Sequence, residues 1–249
     1  MSMFKFDRRT LIRTYMGNYQ YNRLGETYAE ENFEIFENYE NKHQVFAANF
    51  VARLENGEFL NIATLYELTD SFSPVKVITQ RSLGTNEVEE TFHFNTLDHK
   101  LYYKFKNKDF TQEEDLPLSK RIFIMAPTFL TKCLFALSRK YEASARIPYV
   151  VMRSYNQWHF EKLPQEEHIF VEYETSKMQV RNIQGEEYST FDINVFQSDT
   201  WKQEGAPETP VVFHITKDAA IPLHAILEDG TEVSITRLRK FQLPEHMLT

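Results

Sequence analysis

Asn56-Gly57 sits between two runs in which apolar and polar residues alternate, and this arrangement restricts the chain to antiparallel β-structure more than any other feature in it. Such a pair accepts the positive φ angles of a tight hairpin turn at little cost. With those two residues as the loop, Leu54 faces Phe59, Phe50 faces Ala63 and Ala48 faces Leu65. Phe46, Ala48, Phe50, Ala52 and Leu54 then share one apolar face with Phe59, Ala63 and Leu65. Asp229-Gly230 repeats the signal near the end of the chain. There the same reasoning sets Ile226 opposite Val233 and His224 opposite Ile235.

Alternation predicts further strands over Asn32–Tyr39, Val75–Arg81, Val88–Phe94 and Leu101–Phe105. It places Val88, Phe92 and Phe94 on one side of their strand, and Leu101, Tyr103 and Phe105 on one side of theirs. The polar, acidic stretch Asn107–Leu118 reads as a loop. Strands return at Tyr149–Arg153, Ile169–Tyr173, Met178–Ile183, Thr190–Phe196 and Val211–Thr216, with a long loop over Ser198–Pro210. Only between Thr128 and Tyr141 does the period change. Leu130, Cys133, Leu134, Leu137 and Tyr141 recur at helical spacing, Pro127 and Thr128 mark the start, and Arg139 and Lys140 fall in the last turn. One amphipathic helix among many strands argues against a parallel α/β fold, which needs repeated crossovers.

At 249 residues the chain is long enough for one large β domain, and it needs no metal or disulfide to fold. Its single cysteine, Cys133, excludes an intramolecular disulfide and fits a reducing compartment. No apolar run reaches the length of a signal peptide at the start or of a membrane helix elsewhere, so a cytoplasmic protein without membrane insertion is expected. The net charge of −8 opposes broad binding to a phosphate backbone. Arg8, Arg9 and Arg13 are the one basic cluster near the start, and no nucleic-acid motif accompanies them.

Enzyme signatures are sparse. No HExxH, His-x-His or cysteine cluster offers metal-ligand spacing, and no glycine-rich loop could cradle phosphate. No G-x-S-x-G elbow is present. Cys133 lies on the apolar side of the expected helix, where a thiol behaves as a small hydrophobe. Glu89, Glu90, Glu113, Glu114 and Asp115 read as solvated runs. Nothing in the sequence calls for a cofactor or a metal. The aromatic residues are the remaining signal: 21 Phe and 13 Tyr, many of them on the apolar sides of expected strands. Phe46, Phe50, Phe59, Phe92, Phe94, Tyr103, Phe105 and Phe191 form either a packed core or the wall of a ligand cavity. Curved antiparallel sheets enclose such cavities readily.

The layout resembles the LolA-like lipoprotein-carrier half-barrels. The residues behind the resemblance are Asn56-Gly57, Ser73-Pro74-Val75-Lys76-Val77, Gly84 ahead of Val88–Phe94, and Ile221-Pro222-Leu223 leading to Asp229-Gly230 and Val233–Leu238. It implies a curved sheet wrapped around a helix, with a greasy concave face that holds acyl chains. Those carriers begin with a signal peptide and are shorter, and the resemblance transfers no binding residue.

The expectation is therefore one mainly β domain spanning residues 1–249: a strongly curved antiparallel sheet, half-barrel or barrel, with the Thr128–Tyr141 helix packed against it through Leu130, Leu134 and Leu137. Its expected role is non-enzymatic binding of a hydrophobic small molecule such as a lipid, isoprenoid or aromatic metabolite. An isomerase, cyclase or hydratase on the same scaffold is the first alternative. It would need two or more of His93, His214, His224, Asp218 and Glu90 at the mouth of a pocket. A homodimer or protein-interaction module built on an exposed strand edge is the second.

Overall fold

Alternation of inward and outward side chains runs through most of the described residues, which form one sheet of fifteen strands. The structure is a computed structural model and describes residues 9–118, 121–138, 146–197 and 209–242. The strands are β1 (Leu11–Arg23), β2 (Glu26–Asn38), β3 (Gln44–Arg53), β4 (Phe59–Leu68), β5 (Pro74–Leu83), β6 (Asn86–Asn95), β7 (Lys100–Asn107) and β8 (Thr111–Pro117). They continue as β9 (Phe123–Ile124), β10 (Ile147–Arg153), β11 (Gln165–Ile183), β12 (Glu186–Gln197), β13 (Val211–Thr216), β14 (Pro222–Ile226) and β15 (Glu232–Lys240). Hydrogen bonding runs β8-β7-β6-β5-β4-β3-β2-β1-β15-β14-β13-β12-β11-β10-β9. Every pair is antiparallel except β9 with β10. The sheet is strongly curved and does not close: β8 and β9, consecutive in the chain, are its two edges.

Both tight hairpins form, but each carries one more loop residue than the turn dipeptide implies. Leu54 N–H donates to Glu58 O at 2.9 Å, Gly57 N–H donates to Leu54 O at 2.9 Å, and Gly57 takes φ +84°. The loop is Glu55-Asn56-Gly57, a three-residue turn with glycine in the left-handed position. Leu227, Gly230 and Thr231 repeat the arrangement, with Gly230 at φ +79°. A slip of one residue turns every side chain of the partner strand over. Phe46 therefore pairs with Tyr66, Ala48 with Thr64 and Phe50 with Ile62. Likewise His224 pairs with Ser234, and Ala225 with Val233. Phe59 is thereby turned outward, with 54% of its surface exposed, while Leu60, Ile62, Thr64, Tyr66 and Leu68 turn inward.

The acidic segment expected to be a loop is instead the edge strand β8. Lys104 of β7 pairs with Glu113, and Lys100 Nζ reaches Asp115 at 2.9 Å. Alternating charge suits an edge that must stay in water without recruiting another strand. The expected strands Ile169–Tyr173 and Met178–Ile183 are one strand, β11, with an irregularity between Glu174 and Gln179. β1, at the middle of the sheet, carries its inward residues as Tyr15, Gly17, Tyr19 and Tyr21. A Cβ on Gly17 would lie 2.5 Å from the Phe33 ring and 2.5 Å from Arg237 O, so glycine there is a packing requirement.

The concave face is filled across neighbouring strands by Tyr19, Phe33, Phe46, Tyr66, Val77, Phe92, Tyr103 and Phe105, and by one short helix. The helix is a 3₁₀ helix over Phe129–Ser138, not an α-helix. Thr131 Oγ1 donates to Thr128 O at 2.9 Å and Ser138 Oγ to Phe135 O at 2.7 Å, so hydroxyls reinforce contacts three residues apart. Its burial is nearly all round: Phe129, Leu130, Thr131, Cys133, Leu134, Phe135 and Ala136 are all enclosed. It is thus a plug within the curve rather than an amphipathic helix lying on it. Arg139, Lys140 and Tyr141 of the expected last turn lie outside the described residues, as do Arg8 and most of the Ser198–Pro210 loop.

Candidate functional site

Beside the plug the concave face is not filled, and a half-open cavity of about 760 Å³ remains. Three groups of elements build it. Leu60 and Ile62 come from β4, Thr79, Arg81 and Leu83 from β5, and Glu90 and Phe92 from β6. Opposite them stand Ile169, Val195, Val211 and Phe213 from β11, β12 and β13. Between the two walls lie Ile124 to Pro127, Lys132 of the 3₁₀ helix, Arg153 at the end of β10, and the loop Ser154–Trp158. The β14–β15 turn, Leu227 to Asp229, closes the rim. The wall is mostly apolar, with polar and charged groups that converge on it from different elements. That is the usual make-up of a small-molecule site.

Several of those polar groups are organised around Glu90, which is 1% exposed. Arg81 Nη1 meets its Oε2 at 2.7 Å, and the two residues stand on adjacent strands. Tyr103 donates its hydroxyl proton to Glu90 Oε1 at 2.9 Å, and Ser154 Oγ donates to the same oxygen. Asn156 Nδ2 donates to the Tyr103 hydroxyl at 2.8 Å and to Lys162 O at 2.9 Å. Its Oδ1 accepts the N–H groups of Glu161 and Lys162. Asn156 thus shapes the loop after β10 and docks it on β7, while Ser154 ties the same loop to β6. Burial, followed by the neighbouring Glu90 charge, drives the Tyr103 hydroxyl far above the ordinary phenol range, so it stays a donor.

Glu31, fully buried on β2, holds the start of the plug. Its Oε2 accepts the Phe129 N–H at 2.8 Å and the Tyr21 hydroxyl, and its Oε1 accepts the Leu130 N–H at 3.0 Å. These are the N–H groups a helix leaves without intrahelical partners. Burial pushes the Glu31 carboxyl above its ordinary value despite the three donors. Two residues past Leu130, Lys132 leaves the enclosed face of the helix and reaches the cavity wall. Burial first, and then repulsion from Arg153, pushes its ammonium down to about 8. Among the described residues Lys132 has neither a hydrogen bond nor an ion pair. Cys133, next to it, is fully enclosed, and burial pushes its thiol well up, which leaves it unreactive.

Of the eight aromatic residues expected at a ligand wall, only Phe92 lines this cavity. Phe46, Phe94, Tyr103, Phe105 and Phe191 are buried in the packed core, Phe50 packs against that core, and Phe59 faces outward. Of the residues that would signal catalysis, Glu90 alone reaches the cavity. His214 and His224 are cross-strand neighbours with ring centroids 5.4 Å apart, bound to Asp192 and Glu232 respectively. Asp218 accepts from Tyr15 and Lys240, and His93 is exposed beside Tyr102. Among the described residues no three His, Cys, Asp or Glu converge as metal ligands, and no helix is long and apolar enough to cross a membrane.

The residues that shape the cavity, Arg81, Lys132, Arg153, Ser154 and Asn156, left little trace in the sequence. The one available signal was Lys132, a lone cation inside the apolar run FLTKCLFAL.

No family model and no curated protein matches the chain. Among solved structures it is similar to the β-barrel-like protein of the domain of unknown function DUF1849 from Brucella abortus. That likeness has a TM-score of 0.59 and 10% identity, over 93% of this chain and 99% of the other. A DUF1089 family protein from Pseudomonas aeruginosa gives a TM-score of 0.49 and 9% identity, over 80% of this chain and 89% of the other. The first likeness shows a β-barrel-like fold and does not single out the lipoprotein carriers.

Proposed function

We propose that the chain is a binding protein for a hydrophobic small molecule, with the fold acting as a half-barrel around it. The observation that carries this reading is the cavity of about 760 Å³ walled by Leu60, Ile62, Phe92, Ile169, Val211 and Phe213. Its size falls within the roughly 300–1,000 Å³ of sites that enclose small ligands. A packed sheet has no structural need for such a space, because interiors otherwise fill to crystal-like density. An apolar guest would gain about 25 cal/mol for each Å² of apolar surface it removes from water.

The test is uptake of the neutral fluorophore N-phenyl-1-naphthylamine by the wild-type chain and by Ile62→Arg. Ile62 is only partly buried, so a charge at its position changes the cavity wall more than the core. Saturable uptake by the wild type, reduced tenfold or more in the folded variant, supports the reading. Absent uptake, or equal uptake by both, refutes it. Native mass spectrometry followed by extraction of the released compound would then identify the resident ligand.

A further inference from the structure

We propose that the ligand of this cavity is an amphiphile with an acidic head, and that Lys132 and Arg153 hold that head. The inference rests on the cavity being a hydrophobic ligand site and adds the chemistry of the end that is not hydrophobic.

The two cations arrive from unrelated elements, the 3₁₀ helix and the end of β10, and line the same cavity. Neither is fully engaged by the protein's described residues. Among the described residues Lys132 has no hydrogen bond or ion pair. Arg153 makes one long ion pair, Nε to Glu167 Oε2 at 3.4 Å, and that buried Nε has no hydrogen-bond partner. They are also close enough for each to oppose the other's charge. Two partly desolvated cations facing one apolar space are costly when apart from an anion, and an anion between them relieves both repulsion and desolvation.

The acids of the same cavity do not fill that role. Glu90 is committed to Arg81, Tyr103 and Ser154. Asp229 accepts Thr231 N–H at 3.0 Å and Thr231 Oγ1 at 3.1 Å within its own turn. Glu228 stands exposed beside it at the rim, where its attraction for Lys132 is weakened by water. Glu31 attracts Lys132 but is enclosed by Tyr21 and the two backbone donors, which occupy both of its oxygens. What remains for the cations is a group brought in by the ligand: a carboxylate or a phosphate monoester on an apolar body. Arginine and lysine together suit either, the guanidinium through paired donors and the ammonium as a point charge.

Dodecanoate, dodecan-1-ol and dodecyl phosphate, all below micellar concentration, would be compared as displacers of N-phenyl-1-naphthylamine. Wild type, Lys132→Met and Arg153→Met would be used, with circular dichroism to confirm that each variant is folded. The expected result is displacement by an acidic amphiphile at a concentration about tenfold or more below that of the alcohol. That preference should disappear in Lys132→Met and weaken in Arg153→Met, while the alcohol competes as before. Preference for dodecanoate assigns a fatty-acid-like ligand, and preference for dodecyl phosphate a phosphorylated lipid; each upholds the acidic head. Equal displacement by acid and alcohol in the wild type, or an acid preference that survives in Lys132→Met, overturns the head-group assignment while the hydrophobic site stands. Fluorophore uptake with no displacement by any of the three also overturns it. Failure of the fluorophore itself to enter overturns both readings.

Discussion

The backbone N–H of Ile124 donates to the hydroxyl of Tyr66 at 3.0 Å, which ties the edge strand β9 to β4 across the concave side of the sheet. The two residues are far apart in the order of hydrogen-bonded strands, so the contact reports how tightly the sheet curls. Ile124 is 3% exposed and Tyr66 is fully buried. Tyr66→Phe would leave that N–H without an acceptor and out of water. The expected cost is about 1–3 kcal/mol. Urea denaturation would show it as a lower midpoint with an unchanged slope.

Glu31 has a larger effect because three donors depend on it. Glu31→Ala should destabilise by about 2–5 kcal/mol, with Glu31→Gln falling between the variant and the wild type. Hydrogen exchange separates this from a general loss of stability. The amides of Phe129 and Leu130 should lose more protection than those of β1 and β15. Uniform loss throughout the sheet would contradict a local role as the helix cap.

Gly17→Ala tests the packing at the middle of the sheet. Its Cβ would meet two fixed obstacles, the Phe33 ring and the Arg237 carbonyl oxygen, both at 2.5 Å. A loss of about 2 kcal/mol or more is expected, as for overpacked cores. Because one obstacle is backbone, the double variant Gly17→Ala with Phe33→Leu should recover only part of that loss. Full recovery in thermal melts would show that the ring alone sets the limit.

Lys132 makes stability depend on alkaline pH in a defined direction. Its folded value is about 8 against 10.5 in a free chain, so between those values the unfolded state binds more protons. Stability attributable to Lys132 therefore rises with pH across that window, and the penalty is present in full below it. Lys132→Met should be more stable than the wild type at pH 7 by about 1–2 kcal/mol, after allowance for partial access to water. The difference should shrink steadily toward pH 10. Both chains carry the same tyrosines, whose titration largely cancels in the comparison. A difference that stayed constant with pH would show that the lysine acts through packing alone.

Turn chemistry and alternation made the antiparallel class readable, and the inward faces of β3, β6 and β7 could be named residue by residue. Phe46, Phe92 and Leu101 are examples. The face of β4 could not, because Asn56-Gly57 fits a two-residue loop and a three-residue loop equally well, and the choice decides whether Phe59 or Leu60 turns inward. β1 escaped notice because its inward positions are tyrosines interrupted by Gly17, which reads as polar and broken until Phe33 covers it. The cavity had no linear signature. Arg81, Lys132 and Arg153 line one cavity only because the sheet curves, and curvature is a property of all the strands together.

The break in the sheet has a mechanical consequence. β8 and β9 stand at opposite edges, yet only the five residues 118–122 separate them in the chain. A segment of that length spans at most about 20 Å when fully stretched. The covalent chain is thus a strap across the seam, and it limits how far the end of β8 and the start of β9 can part at that corner. The opposite corner is tied as well, because Asn107 Nδ2 at the end of β7 donates to Trp158 O at 3.2 Å and Asn156 Nδ2 donates to the Tyr103 hydroxyl at 2.8 Å. The seam is laced at both corners, by the chain itself at one and by side-chain contacts at the other.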